Sequence, residues 1–184
     1  LLQMDLDRLC DWSKTWKLNL NPTKCQTITF TLKTNPIKSS YTLDGHELVR
    51  CQEVRDLGVT LDVKLTFAHH VDATVRKCNR MLGLLMRSVQ LPRCPRPAKF
   101  NHSALLAAYN AHVRSIAEYG SVVWSGAAKT HLARLERMQH RFFMWLASNT
   151  RSRCPPLDYE SLLGSFSVCS IKSRFIQADL LFLR

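Results

Sequence analysis

The spacing of apolar residues changes once along this chain, and that change most constrains its fold. Residues 25–33 alternate apolar side chains with threonine, which is the period of a half-buried strand. After Phe67 the apolar positions instead step by four and three, the period of one helix face. The first stripe of this kind is Val71, Val75, Cys78, Leu82, Leu85 and Val89. We therefore predict an α+β protein with an α/β part over residues 1–65 and an all-α part over residues 66–184.

The α/β part is predicted to be one helix followed by a small antiparallel sheet. The helix covers residues 1–16, with Leu2, Leu6, Leu9 and Trp16 on one face. The strands are residues 25–33, a hairpin of 40–43 and 47–50 around an Asp-Gly turn, and a β segment over 53–60. So short a segment cannot bury a core of its own, and we expect it to belong to a larger sheet.

The all-α part is predicted to contain a helix over the first stripe and four more. A second helix spans Leu105 to Ile116 and ends near Gly120, a plausible C-cap. A third spans Leu132 to Leu146, and shorter helices follow at 157–164 and 168–183. Prolines should interrupt the chain at Pro92, Pro95 and Pro97, where Arg93 and Arg96 make a basic linker, and again at Pro155 and Pro156.

The charge is concentrated in the helical part. The formal net charge is +12, of which +1 falls on residues 1–66 and +11 on residues 67–184. Such an excess predicts a polyanionic partner, foremost nucleic acid, although a merely solvated basic surface has the same composition. The candidates for phosphate contact are the basic residues that lie off the helical stripes: Arg76, Lys77, Arg80, Arg87, Arg134, Arg137 and Arg141.

Several other classes of site are not supported by the sequence. The seven cysteines are scattered without a C-x-x-C pair, and the histidines show no metal-ligand spacing, so we predict neither disulfides nor a metal site. No phosphate loop, nucleophile elbow, signal peptide or membrane-spanning run is present, which predicts an intracellular protein of the nucleus or cytoplasm that is not secreted. All four tryptophans, Trp12, Trp16, Trp124 and Trp145, are predicted to pack in the core rather than stack on bases.

An ordered series of motifs runs through nearly the whole chain. The motifs are W-x3-W-x-L-x-L-N-x2-K-C at residues 12–25, L-G-V-x-L-D at 57–62, L-L-x2-Y at 105–109, E-Y-G-S-x2-W at 118–124, L-E-x2-Q-x-R-F at 135–142 and S-I-x2-R-x4-D-L-x-F at 170–182. Each is weak alone, but the order and spacing resemble the reverse transcriptases of non-LTR (LINE-type) retrotransposons. The matching region would be the end of the polymerase palm and the helical thumb that follows it.

The resemblance implies roles for particular residues. Residues 1–65 would be a palm remnant and 66–184 a thumb-like region that grips an RNA template paired with a DNA primer. Lys24 falls on the lysine proposed to protonate the pyrophosphate leaving group. Leu57, Gly58 and Val59 fall on the primer grip, although Asp56 stands where the family often has an aromatic residue. The alternative interpretations are a solvated turn lysine and a strand bulge needed only for packing.

The paired catalytic aspartates of the family are not in this sequence. Two-metal chemistry needs carboxylates that converge on ions about 4 Å apart, and the family places them upstream of the helix in which this chain starts. Asp5 and Asp7 point to different sides of that helix and are not substitutes. The Mg²⁺ expected for the parent polymerase would then be bound by its missing palm and fingers, and this chain alone should be inactive. The alternatives are a non-catalytic nucleic-acid-binding helical protein from a decayed or domesticated element, and a module for an acidic protein partner.

Overall fold

A computed structural model describes residues 1–37, 39–89, 102–149 and 158–183. The chain divides into two compact units, Leu1–Thr66 and Phe67–Arg184. The basic linker predicted around Pro92, Pro95 and Pro97 lies outside the described residues, and so does the break predicted at Pro155 and Pro156.

The first unit begins with helix α1, Leu2–Thr15, as the sequence predicts. Its inner face is formed by Cys10 and Ser13, whereas Leu2, Leu9 and Trp16 are exposed, so the predicted apolar packing face is wrong for these three residues. The reason is the small area available for packing. Gln3 contacts the following hairpin by exchanging two hydrogen bonds of 2.9 Å with the backbone of Thr42, and the unit has little else to cover the stripe.

Six short strands follow a 3₁₀ turn at Pro22–Lys24. They are β1 (Gln26–Thr27), β2 (Thr42–Leu43), β3 (His46–Glu47), β4 (Val49–Arg50), β5 (Glu53–Asp56) and β6 (Val59–Asp62). They pair as β1–β4, β2–β3 and β5–β6. The β1–β4 pair is parallel, so the predicted purely antiparallel sheet is wrong there. The strand predicted over 25–33 is also limited to two residues, because the chain stops pairing with β4 after Thr27. Further on, the backbone N–H of Thr31 donates a hydrogen bond to the carbonyl of Val63.

The two antiparallel hairpins turn through residues with positive φ. The predicted Asp44-Gly45 turn is confirmed, with φ of 49° and 77° between β2 and β3. The β segment predicted over 53–60 is instead a second hairpin, because Leu57 and Gly58 have φ of 44° and 88° and reverse the chain between β5 and β6. Both turns have the geometry of type I′, whose twist matches that of paired strands.

The described residues of the second unit form helices joined by short turns and loops. Its elements are α2 (Ala68–Val89), α3 (His102–Tyr109), a π-helical turn (Asn110–Arg114), α4 (Ser115–Glu118), α5 (Ser121–Trp124), α6 (Lys129–Asn149), α7 (Tyr159–Ser165) and α8 (Ile171–Phe182). The second predicted helix is thus continued to Glu118 through a π-helical turn. Tyr119 occupies the C-cap of this run, and Gly120, with a left-handed φ of 61°, is the N-cap of α5. The predicted C-cap role of Gly120 is therefore wrong, because Tyr119 already leaves the helical conformation.

The core of the second unit is aromatic. Tyr109 stacks on Phe142 with ring centroids 4.6 Å apart, and Trp124 packs edge-on against Phe175 at 4.9 Å. Trp124 is fully buried, as predicted, whereas in the first unit Trp12 and Trp16 are 50% and 66% exposed, which contradicts their predicted core positions. Within the described residues, none of the helices combines the length and the apolar character required to span a bilayer.

Candidate nucleic-acid interface

The basic residues of the second unit are concentrated on helices α2 and α6. These two helices carry eight lysines and arginines but only two acidic residues, Asp72 and Glu136. Both carboxylates are engaged within the protein. Asp72 pairs with Arg134, and Glu136 accepts hydrogen bonds from the Tyr159 hydroxyl at 2.6 Å and the Lys172 backbone N–H at 2.8 Å. The helices therefore carry a large excess of positive charge that their own acidic residues do not neutralise.

Three arginines of α2 form one exposed row. Arg76, Arg80 and Arg87 are all exposed and, at 3.6 residues per turn, fall within an arc of about 40°. The row is about 16 Å long, because its ends are eleven residues apart and each residue rises about 1.5 Å. Lys77, another residue predicted to contact phosphate, is also exposed but lies about 60° outside this arc. We refer to Arg76, Arg80 and Arg87 as the arginine row.

The three predicted contacts on α6 differ from one another. Arg137 is exposed. Arg134 is about one third exposed and donates to the carboxylate of Asp72, while Arg141 donates to the side-chain carbonyl of Asn79. This hydrogen bond from Arg134 holds the pKa of the Asp72 carboxyl below its usual range, with a smaller contribution from the charge of Arg76. Two of the seven residues predicted to contact phosphate are therefore hydrogen-bonded from α6 to α2.

The hairpin of β5 and β6 separates the three residues assigned to the primer grip. Leu57 lies at the tip and is 85% exposed, Gly58 completes the turn, and Val59 is buried. The left-handed backbone of Leu57 is costly for a residue with a side chain, by about 1–2 kcal/mol. This hairpin therefore presents an apolar tip at an energetic cost, while Val59 belongs to the packing of the first unit.

Lys24 ends the 3₁₀ turn that separates α1 from β1. Asn21 caps this turn by accepting hydrogen bonds from the backbone N–H of Thr23 at 3.1 Å and from the Thr23 hydroxyl at 2.6 Å. The Lys24 side chain is exposed. The turn thus fixes the backbone at Lys24 and leaves its ammonium group in solvent, and the role assigned to this lysine stays a prediction.

Curated proteins with similar sequences share one description. The Drosophila melanogaster protein named "Probable RNA-directed DNA polymerase from transposon BS" is 35% identical over 141 residues, or 76% of this chain. The "RNA-directed DNA polymerase from mobile element jockey" of the same species is 29% identical over 75% of the chain, and that of transposon X-element is 25% identical over 73%. This chain belongs to the reverse transcriptases of non-LTR retrotransposons.

The matched region is a small part of these reverse transcriptases. The alignments cover 14–15% of the length of the three D. melanogaster proteins. No protein-family model matches the chain, and no solved structure matches it. The likeness to other reverse transcriptases is therefore a likeness of sequence, and the fold described above is that of this chain alone.

A Mg²⁺ site of the kind used by a polymerase does not fit the described residues of this reverse-transcriptase segment. Asp5 lies 3.4 Å from Arg8, and Asp7 accepts a hydrogen bond of 2.8 Å from Gln3, so both carboxylates have partners along α1. Nowhere in the described ranges do three or more His, Cys, Asp or Glu side chains come together as metal ligands. We therefore assign no step of nucleotide transfer to these residues.

Several motif residues of the reverse-transcriptase segment have roles that the sequence did not reveal. Arg174 of the last motif donates two hydrogen bonds to Glu118 of an earlier one, and this pairing raises the pKa of the guanidinium. Gln139 is buried, accepts from the Tyr109 hydroxyl at 2.9 Å and donates to the Cys169 carbonyl at 3.0 Å. The motifs that identify the family thus supply contacts inside the helical unit. Their polar residues lie on separate predicted helices, and that placement could have indicated contacts between the helices.

Proposed function

We propose that this chain contributes the duplex-holding surface of a retrotransposon RNA-directed DNA polymerase, without catalytic carboxylates of its own. The observation that carries the proposal is the arginine row on α2. Guanidinium groups in such a row can contact successive phosphates, and such contacts confer affinity without reading sequence. A polymerase needs this kind of contact, because it must translocate over every sequence that it copies.

The hairpin and Lys24 complete the proposal. The exposed Leu57 tip would contact the end of the DNA primer, and Lys24 would lie near the leaving group once the rest of the polymerase is present. The partners are then an RNA template paired with a DNA primer, and the palm and fingers of the parent protein, which would also hold its Mg²⁺. Replacement of Leu57 by Asn, which suits the same turn, should weaken binding to a recessed primer end more than to a blunt hybrid.

The arginine row can be tested with the purified chain. We would measure binding to a fluorescent RNA–DNA hybrid, and to a single strand of the same length, from about 50 to 200 mM salt. The variant replaces Arg76, Arg80 and Arg87 by Gln. The control removes the same charge from exposed lysines elsewhere, Lys33, Lys129 and Lys172. Because each lost phosphate contact reduces the slope of log K against log salt by about one, we expect the slope to fall by about three in the variant only.

Three results would contradict the proposal. The first is an absence of salt-dependent hybrid binding, and the second is an equal effect of the two triple replacements. The third is equal affinity for hybrid and single strand, which would instead favour a stand-alone nucleic-acid-binding protein. Primer extension by the purified chain on an RNA template with Mg²⁺ would contradict the non-catalytic assignment.

A further inference from the structure

Two side-chain contacts connect α2 to α6 with the same spacing on both helices. Arg134 pairs with Asp72, and Arg141 bonds to Asn79. Both partners advance by seven residues, which is two helical turns or about 10.5 Å. Because the numbers rise together on the two helices, α2 and α6 run parallel along these contacts. We refer to the two contacts as the cross-links.

The cross-links adjoin the arginine row. On α2, Asp72 lies about 40° from Arg76 around the helix, and Asn79 lies on the other side of Asp72. Rotation of α2 about its axis would break both cross-links and would also turn the row away from its present direction. Arg134 and Arg141 therefore contact the edge of α2 that lies next to the row.

We propose that Asp72 and Asn79 are positioning residues for the duplex-holding surface. They engage Arg134 and Arg141 within the protein. Together with the buried apolar stripe of α2, they hold the arginine row in one direction before nucleic acid binds. This inference rests on the proposed function of the row. A row on a helix of fixed orientation binds more tightly, because that helix need not be ordered at the moment of association.

A direct role of Arg134 and Arg141 in nucleic-acid binding would predict the opposite effect on affinity. If Arg134 and Arg141 contacted phosphates directly, the removal of their partners would free two cations and strengthen binding. Replacement of Asp72 also changes the net charge, which would strengthen binding whatever its role. Asn79 avoids this complication, because its replacement by Ala leaves the charge unchanged.

The experiment compares hybrid binding by the intact chain and by Asn79→Ala across the same salt series. Asn110→Ala is the matched control, because Asn110 also accepts a hydrogen bond from an arginine, Arg114, but four residues away along the same run of helix. We expect Asn79→Ala to weaken hybrid binding by about three- to tenfold, part of what the lost charge-assisted bond could contribute. The salt slope should not change, because the number of phosphate contacts is the same.

Tighter or unchanged hybrid binding by Asn79→Ala would overturn the proposal, and so would an equal loss in Asn110→Ala. A double-mutant cycle of Asn79→Ala with Arg141→Ala, followed by thermal melting, tests the cross-link without nucleic acid. Additive effects on the melting temperature would overturn the inference even where the row binds the hybrid. Coupled effects together with no hybrid binding by the unaltered chain would instead overturn the proposed function and, with it, the positioning role.

Discussion

At the scale of single residues, the helical unit depends on a polar side chain in its core. Gln139 is fully buried and joins the Tyr109 hydroxyl to the Cys169 carbonyl. Burial raises the pKa of Tyr109, so its hydroxyl stays protonated and remains a donor. A buried polar group is tolerated because each of its hydrogen bonds is made, and the loss of one partner leaves the other unsatisfied.

Replacement of Gln139 by Leu should therefore destabilise the chain. The new side chain is similar in size, but the Tyr109 hydroxyl and the Cys169 carbonyl lose their partner, which should cost about 2 kcal/mol or more. Urea unfolding would measure the change. Gln177→Leu is the control, since Gln177 is exposed on α8 and its replacement should change stability by less than about 0.5 kcal/mol. Equal unfolding midpoints for the two variants would show that the buried amide contributes nothing.

At the scale of elements, the segment after β6 is organised by a single carboxylate. Asp62 accepts hydrogen bonds from the backbone N–H groups of Lys64 and Thr66, at 3.0 and 3.1 Å, and from the Thr66 hydroxyl at 3.0 Å. Leu65 and Phe67 adopt left-handed backbone conformations, with φ of 52° and 57°. Each such conformation costs about 1–2 kcal/mol, and the bonds to Asp62 help to offset that cost.

We expect Asp62→Ala to open this segment to proteolysis. Lys64 is exposed, and trypsin can cleave after it only when the segment unfolds locally. Loss of the three hydrogen bonds should raise the rate of cleavage after Lys64 by about tenfold or more. Mass spectrometry of the peptide that ends at Lys64 would measure this rate. Asp11→Ala, a replacement of an exposed carboxylate on α1, serves as control, and equal rates in both variants would argue against the role of Asp62.

At the scale of the whole molecule, stability should depend on pH through carboxylates held below their usual pKa. Arg134 does this to Asp72, and hydrogen bonds from Ser161 do it to Asp158, which caps α7. A carboxyl whose pKa is lower in the folded than in the unfolded chain stabilises the fold above the unfolded value of about 4. That contribution is lost as the pH falls through the folded value.

The Asp72→Asn variant tests this dependence. It should melt at a lower temperature than the unaltered chain at pH 7, and the difference should shrink below about pH 4 as Asp72 becomes protonated. The positive charges near Asp72 are Arg134, Arg76 and, when protonated, His131. A difference in melting temperature that stays constant from pH 7 to pH 2 would rule out this contribution.

How much of the fold and of the interface the sequence predicts depends on how far apart the interacting residues lie along the chain. The period of the apolar residues predicts α1, α2 and α6, and the Asp44-Gly45 pair predicts its hairpin, because these features depend on neighbours a few residues apart. The strand predicted over 25–33 is wrong after Thr27, because a strand also needs a partner and alternation does not provide one. The exposure of Trp12 and Trp16 likewise depends on what the small first unit can cover.

The sequence by itself determined the helical period, the concentration of charge after residue 66 and the family, since each depends on local order or simple sums. Only the tertiary structure decided which basic residues are hydrogen-bonded within the protein. Arg134 and Arg141 match the arginine row in residue type, yet each finds its partner 62 residues earlier in the chain. Such partners are chosen by how the helices pack. Packing within the first unit likewise buries Val59 and leaves Leu57 exposed, although the two residues are separated only by Gly58.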